Sequence, residues 1–532
     1  MVKIQFINAP YLGRFSRAQR SPGVIKSGTM YYPYWLAHAA AVAEQQGHAI
    51  HLVDCPAKSL SEMELHALVR DFQPDMLVLE SVAVSWRSDC RVAAHLKSLL
   101  PKSTIVLVGT HVTAMREETL LCEPAIDFVV IGEYDYAVSD IARALENDID
   151  FLEIPGIACR RNEKIVKTRE RPLIENLDDL PWISPIVKRF LNPYDYYFNL
   201  SFHPMLMLIS GRGCNGFCFY CAYPQVVHGH RHRHRSPESV VAEMLWVQNN
   251  MPEIREITFE DDNFAADPQF ARRFAENVRE SGVKLPFFAN VRTTVDYNTL
   301  KALKDAGLRN TAVGFESGDN IILSNMRKGQ NLNTQKKFMH NARKLGLLVH
   351  GCFMVGFPGE TAETMNKTLE LAKELRPDSA QFYPVMPYPG TGAYAYYKRE
   401  GYLIEEEFDK WLTDEGRHRC VLNLPNLPPE TIEAFCEAAS RKYHFRPRYL
   451  FYKLNQLMVS PREGWRSLKA GLRFLQYTLK NRRKKTVSSH VPHLSPPVFW
   501  REHIKVPMGR MERLTKGLDP SIKAQIESSD AL

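Results

Sequence analysis

The chain has 532 residues and no run of eighteen apolar ones. A bilayer-spanning helix needs ~20, so no transmembrane helix is expected. The first residues, Met1 to Asn8, lack the apolar core and small-residue cleavage site of a secretion signal, and read instead as a strand. Neither sign of charge is in large excess. A net charge of +8 suits an acidic substrate or a membrane surface but selects neither. No internal repeat of fixed short period is present. With 45% hydrophobic and 24% charged residues, the composition is globular and excludes a disordered chain. Ten cysteines without an export signal imply a reducing, cytoplasmic setting. There, grouped cysteines bind metal or do chemistry more often than they pair.

Residues 1–145 alternate strand and helix. KIQFINAP, AIHLVDCP, DMLVLESVAV, TIVLVGTH and DFVVIG are the apolar strands, and amphipathic stretches such as YYPYWLAHAAAVAEQQGH and LSEMELHALVRDFQP lie between them. The last helix of this kind is expected from Arg91 to Leu100. Short apolar runs between helices of this length predict a doubly wound, flavodoxin-like parallel sheet. Ligands of such sheets sit beyond the C-terminal strand ends, where Asn8, Glu80, Ser81, Gly109, Thr110, His111, Gly132 and Glu133 fall. Residues 146–200, rich in proline and acidic side chains, read as a linker. Alternation resumes over 201–400 with six further strands, predicting a partial (β/α) barrel. Residues 401–532 read as mostly helical with a basic tail.

Cys214, Cys218 and Cys221 form a C-x₃-C-x₂-C cluster directly after an apolar strand. Thiolates are the usual ligands of iron–sulfur clusters. Three of them on one loop leave one iron of a cubane free to chelate the amino and carboxylate groups of S-adenosylmethionine (SAM). A structural zinc site is the competing reading, with its fourth ligand drawn from His228 to His234.

Here the chain resembles the radical SAM superfamily. Glu260-Asp261-Asp262-Asn263, Asn290-Val291-Arg292, Gly314-Phe315-Glu316-Ser317, Val355-Gly356-Phe357-Pro358-Gly359 and Pro387-Tyr388-Pro389-Gly390 follow at successive strand ends. The resemblance makes Cys214, Cys218 and Cys221 the [4Fe–4S] ligands. It makes Phe219, Tyr220, Glu316, Ser317, Gly356 and Gly359 SAM contacts, and Glu260, Asp262 and Arg292 residues that position SAM or substrate. Carboxylates at strand ends are as often helix caps. A doubly wound domain ahead of such a barrel is similar to the cobalamin-binding, or class B, subgroup. It implies cobalamin near Gly109, Thr110, His111, Gly132 and Glu133. The D-x-H-x-x-G motif that supplies cobalt with a lower histidine ligand is absent, and His111 reads equally well as a turn histidine.

The branch with anaerobic magnesium-protoporphyrin ester cyclases and hopanoid-modifying enzymes is the most similar, through Tyr32-Pro33-Tyr34-Trp35-Leu36 and Phe445-Arg446-Pro447-Arg448-Tyr449. The expected activity is radical functionalisation of an unactivated carbon, chiefly by methyl transfer. Oxidative cyclisation without methyl transfer is the alternative. Methylthio transfer, for which Cys55, Cys90 and Cys122 would supply a second cysteine set, and a non-catalytic cluster or cobalamin carrier are further readings. The implied partners are a small-molecule or lipid-like substrate and a reductant such as flavodoxin or ferredoxin, with no nucleic acid. The run His228-Gly229-His230-Arg231-His232-Arg233-His234-Arg235 reads as an anion-holding segment or a solvated loop. Residues 462–485 place Trp465, Leu468, Leu472, Leu475 and Leu479 at helical spacing before Arg482-Arg483-Lys484-Lys485, consistent with peripheral membrane contact or with packing on the barrel.

Overall fold

The computed structural model describes residues 1–25, 27–469 and 471–472. The first sheet is built on β1 (Lys3–Asn8), β2 (Ala49–Asp54), β3 (Met76–Glu80), β4 (Thr104–Val108) and β5 (Phe128–Val130), all parallel. The strands are almost wholly buried, as expected where helices cover both faces. The sheet does not end at β5. Residues 157–167, inside the expected linker, form the hairpin β6 (Ile157–Arg161) and β7 (Lys164–Lys167), giving the order β2-β1-β3-β4-β5-β6-β7. Asn162 and Glu163 turn it with both φ values positive, 49° and 63°, the geometry of the two-residue turn that suits strand twist. Charged, short and without glycine, RRNEKIVK carries almost no strand pattern. A helix, Ser184–Phe190, also lies in this stretch. The helix expected from Arg91 begins earlier, at Trp86.

The second sheet contains β8 (Met205–Leu208), β11 (Glu256–Phe259), β12 (Phe287–Val291), β13 (Leu308–Glu316), β14 (Leu348–Val355) and β15 (Ser379–Pro384), all parallel, in the order β15-β14-β13-β12-β11-β8. No described residue joins β15 to β8, so the barrel is partial. Between β8 and β11 a short ladder pairs β9 (Gly211–Arg212) with β10 (Arg233–His234). Ser236, Asp267, Asp296, Asn331, Thr361 and Thr391 each accept a backbone N–H at the start of a barrel helix. Each helix thus begins at a fixed residue, which fixes the strand-end loops.

Residues 401–428 contain no α-helix, only the 3-10 turn Phe408–Trp411. They form an irregular strap whose turn Phe408–Trp411 packs against Ala83–Ser85 of the first domain. Helices Pro429–His444 and Pro447–Val459 follow. The 9–33 segment between β1 and the helix Tyr34–Gln45 is tied to all three regions. Arg17 pairs with Asp89 at 2.5 Å in the first domain. Ser21 Oγ lies 3.0 Å from the Tyr388 hydroxyl and 3.1 Å from His418 Nε2. Val24 N donates to Gly416 O of the strap. A continuous apolar core runs through both sheets.

Candidate active site

The loop after β9 carries Cys214, Cys218 and Cys221. Gln225, on the π-helical turn Tyr223–His228, donates to the carbonyls of Cys218, Phe219 and Cys221 at 3.0, 3.2 and 2.9 Å. Its own carbonyl accepts from Gly392 N. Asp261 accepts from the backbone N–H of Ser210 and Gly211 and so secures the strand end from which the loop springs. Burial pushes the Cys214 and Cys221 thiols up, that of Cys221 well above its ordinary value, and the neighbouring Cys218 adds to both shifts. Among the described residues no three His, Cys, Asp or Glu side chains stand at metal-ligand spacing. Protonated thiols have no cause to converge, because the thiolate is the ligand. The donor chemistry fits a [4Fe–4S] cluster: three sulfurs on one braced loop, with the cations Arg292 and Lys328 beside them. Two of the histidines that the zinc reading draws on are already engaged through Nδ1. His228 bonds Glu133 at 3.1 Å and His230 bonds Gly216 O at 2.9 Å.

Next to the loop, Glu316 accepts from the Tyr220 hydroxyl at 3.0 Å and pairs with Lys328 at 2.8 Å. Its φ is +64°, a strained conformation for a residue with a side chain. Its other oxygen, Oε2, is buried and unpartnered, as is Glu260 Oε1. Buried polar atoms are rarely left bare; these two are the positions expected of acceptors for SAM. Arg292 donates to Lys328 O and neighbours Cys214. Other sites expected on resemblance are engaged elsewhere. Ser317 Oγ accepts from Asp319 N and sits against Thr368. The Phe219 ring packs on Tyr396 and Tyr397. Gly356 and Gly359, at φ +97° and +83°, shape the turn after β14, where Tyr397 donates to Gly356 O at 2.7 Å.

The first sheet's order changes direction between β1 and β3, the crevice where doubly wound sheets take ligands. Arg17 Nε and Nη1, Asn8 Oδ1 and Glu80 Oε2 are buried there without partners. Desolvation raises Glu80 to about 7 and Asp54 to about 6. This set of bare donors and acceptors fits the amide-rimmed corrin of cobalamin. Gly109, Thr110, Gly132 and Glu133 line the same crevice beside Trp35, Arg212 and Tyr223, around a cavity of 20 Å³. A corrin needs far more room, so binding entails displacement of that wall.

His111 does not face the crevice. Its buried ring lies 4.9 Å from Trp86 and 5.1 Å from Phe408, and burial lowers it to about 3. It packs as a core histidine, with both ring nitrogens buried and without a partner. Glu133 lines the crevice but is committed to protein. It accepts from Arg233, His228 and Ile174 N, and against the burial that raises it these hydrogen bonds and the nearby Arg212 hold its carboxyl well below the usual range. The histidine–arginine run is therefore neither an anion clamp nor a solvated loop. Arg233 pairs with Glu133, and Arg235 with Glu243 at 2.5 Å. Only Arg231, paired with Glu175, is mostly exposed among its arginines. Sequence reasoning missed Arg17, Arg20, Gln225 and Arg212. None belongs to a strand-end motif, and only the contacts reveal them.

These two strand-end sites define a radical SAM enzyme with a B12-binding domain. Residues 20–142 match the B12 binding domain model and residues 208–372 the radical SAM superfamily model. An uncharacterised methyltransferase of Pyrococcus horikoshii is 29% identical over 424 residues, covering 80% of this chain and 90% of the relative. The anaerobic magnesium-protoporphyrin IX monomethyl ester cyclase of Synechocystis is 26% identical over 444 residues, covering 82% and 86%. The solved radical SAM methyltransferase TsrM of Kitasatospora setae shares the fold, with a TM-score of 0.66, 16% identity and coverage of 82% and 89%. The chain belongs to the cobalamin-binding (class B) radical SAM enzymes. Its cofactors are a [4Fe–4S] cluster, SAM and cobalamin.

Proposed function

We propose that the protein is a cobalamin-dependent radical SAM methyltransferase acting on an unactivated carbon. The observation that carries this reading is the pairing of two strand-end sites in one packed body: a braced three-thiol loop beside bare carboxylate oxygens, and a crevice of bare donors at the β1–β3 switch. The methyltransferase relative covering 80% of the chain supports it. When bound, the reduced cluster with SAM supplies a carbon-centred radical, and cobalamin supplies the methyl group. The protein's residues hold and enclose. Gln225 fixes the thiol loop, Tyr220 and Lys328 orient Glu316, and Arg20 orients Glu260. The 9–33 segment and the 401–428 strap close the domain junction against water. Turnover with methyl-labelled SAM tests the reading. Label in the product supports it. SAM cleavage without label in product favours the cyclase reading, for which the Synechocystis relative speaks. No SAM cleavage at all by reconstituted, reduced protein would leave only a carrier.

The substrate is proposed to be a small or lipid-like molecule, and the reductant an acidic electron carrier such as flavodoxin or ferredoxin. In support of the reductant, an 810 Å³ cleft bordered by Asn215, Gly216 and Phe217 is lined with Arg292, Arg327 and Lys328 and no acidic residue. A cytoplasmic location with peripheral membrane contact is likewise proposed. No described helix is long and apolar enough to cross a membrane. Phe451, Leu454, Met458, Val459 and Trp465 stand exposed near the end of the described chain, in support of surface contact. Leu475, Leu479 and the basic run 482–485 lie outside the described residues.

A further inference from the structure

Arg20 belongs to the first domain, yet its guanidinium bonds to the second. It donates to Glu260 Oε2 at 3.0 Å, to Glu260 O at 2.8 Å and to Asp261 O at 2.6 Å, and lies 3.6 Å from the Asp262 carboxylate. Its acceptors are successive residues at the C-terminal end of β11, so it fixes the backbone turn together with the carboxylate. Asn290 Nδ2 donates to the same Glu260 oxygen at 3.2 Å. Glu260 is thus held from both domains by Oε2. Its Oε1 is buried and accepts no hydrogen bond, with the Tyr31 side chain beside the carboxylate, on a side chain only 1% exposed. Asp261 accepts from the backbone of Ser210 and Gly211, just before the thiol loop, and Asn263 lines one cleft with Asn215 and Gly216 of that loop, which puts this strand end beside the thiols. A carboxylate with one oxygen doubly held and the other bare is preorganised to accept a hydrogen bond from a ligand.

We propose that Arg20 is a positioning residue: from the B12-binding domain it sets Glu260 so that the bare oxygen receives the ammonium group of SAM. The domain in front therefore governs SAM binding in the domain behind. The proposal rests on SAM being a cofactor and is independent of where the methyl group goes.

The test is SAM affinity by anaerobic calorimetry on the full chain loaded with cluster and cobalamin, for Arg20→Ala, Glu260→Gln and the double variant. Loss of an oriented, charged hydrogen bond weakens binding by about tenfold or more. Arg20→Ala and Glu260→Gln should each show this, with corrin and cluster absorbance unchanged. Because Arg20 acts through Glu260, the double variant should bind no more than about twofold worse than either single one. Arg20→Lys, which keeps the charge but not the fork, should fall between Arg20→Ala and the parent. Unchanged affinity in Arg20→Ala, or a double-variant loss equal to the product of the single losses, overturns the proposal. Should Arg20→Ala not retain both cofactors, Arg20→Lys with and without Glu260→Gln gives the same cycle: coupled losses support the proposal, and unchanged affinity or multiplying losses overturn it. Normal SAM binding with no labelled product would count against methyl transfer alone.

Discussion

Arg212→Ala is the sharpest probe of how the two domains are joined. Arg212, two residues before the first thiol, donates to both oxygens of Asp135 at 2.7 and 2.8 Å, and its guanidinium lies 5.0 Å from the Trp35 ring centre. Both side chains are nearly inaccessible, at 1% and 5% exposure. Removing the arginine strands a buried carboxylate, and breaking a buried pair in this way costs about 3–5 kcal/mol. Spread over a cooperative unit of domain size, that is a fall in Tm of roughly 6–20 °C. The loss carries a pH signature. In the parent, Arg212 holds the Asp135 carboxyl below its ordinary value despite burial. That contribution is present above the unfolded pKa and is lost as pH falls through the folded one. In Arg212→Ala burial, with the neighbouring Glu133 charge, outweighs the rest, so the carboxyl rises above its unfolded value. The variant's penalty then grows as pH climbs from ~4 towards the raised pKa, by up to ~1.4 kcal/mol per unit. Scanning calorimetry at pH 5 and pH 8 should show the larger deficit at pH 8. A deficit under ~1 kcal/mol, equal at both pH values, refutes the account of a buried interdomain pair.

Other outcomes follow from the same contacts. Cys218→Ala should abolish the cluster's visible absorbance and SAM cleavage; survival of either would point to other ligands. His111→Leu should leave the cobalamin spectrum unchanged, because the ring faces Trp86 and Phe408. As His111 is lowered to about 3, the parent loses stability as pH falls from ~6.5 towards that value; the variant should lose less, by ~2 kcal/mol at pH 5, read from Tm. Phe451→Asp with Leu454→Asp should cut co-sedimentation with phosphatidylglycerol vesicles at least ~tenfold, given ~1.5–3 kcal/mol per buried apolar side chain. Equal sedimentation would remove the membrane reading.

Where a pattern repeats locally, the chain was legible. The strands of the first parallel sheet and of the barrel follow from apolar runs bounded by capping residues, and the thiol loop from its spacing. The hairpin β6–β7 was not legible, because a charged edge strand such as KIVK need bury little. The strap 401–428 was not legible either, since its order comes from Phe408 and Trp411 packing on another domain. The strand-end motifs located Glu260 and Glu316 but could not tell a bare oxygen from a capped one. Ser317 and Glu133 look equally available in sequence, yet one braces Thr368 and the other is ringed by cations. Such distinctions depend on long-range partners: Glu133 meets Arg233 across one hundred residues, and Arg20 meets Glu260 across 240.

The interlacing of the 9–33 segment bears on how such a protein is rearranged by evolution or by an engineer. Arg17 is fastened within one domain, Arg20 to the other, and Ser21 to both the barrel's last strand-end loop and the strap. A B12-binding cassette cut at any point between the two sheets leaves these fasteners without counterparts. Transplanting cofactor specificity between relatives therefore requires moving residues 9–33, the end of β11 and the 401–428 strap as one inherited unit.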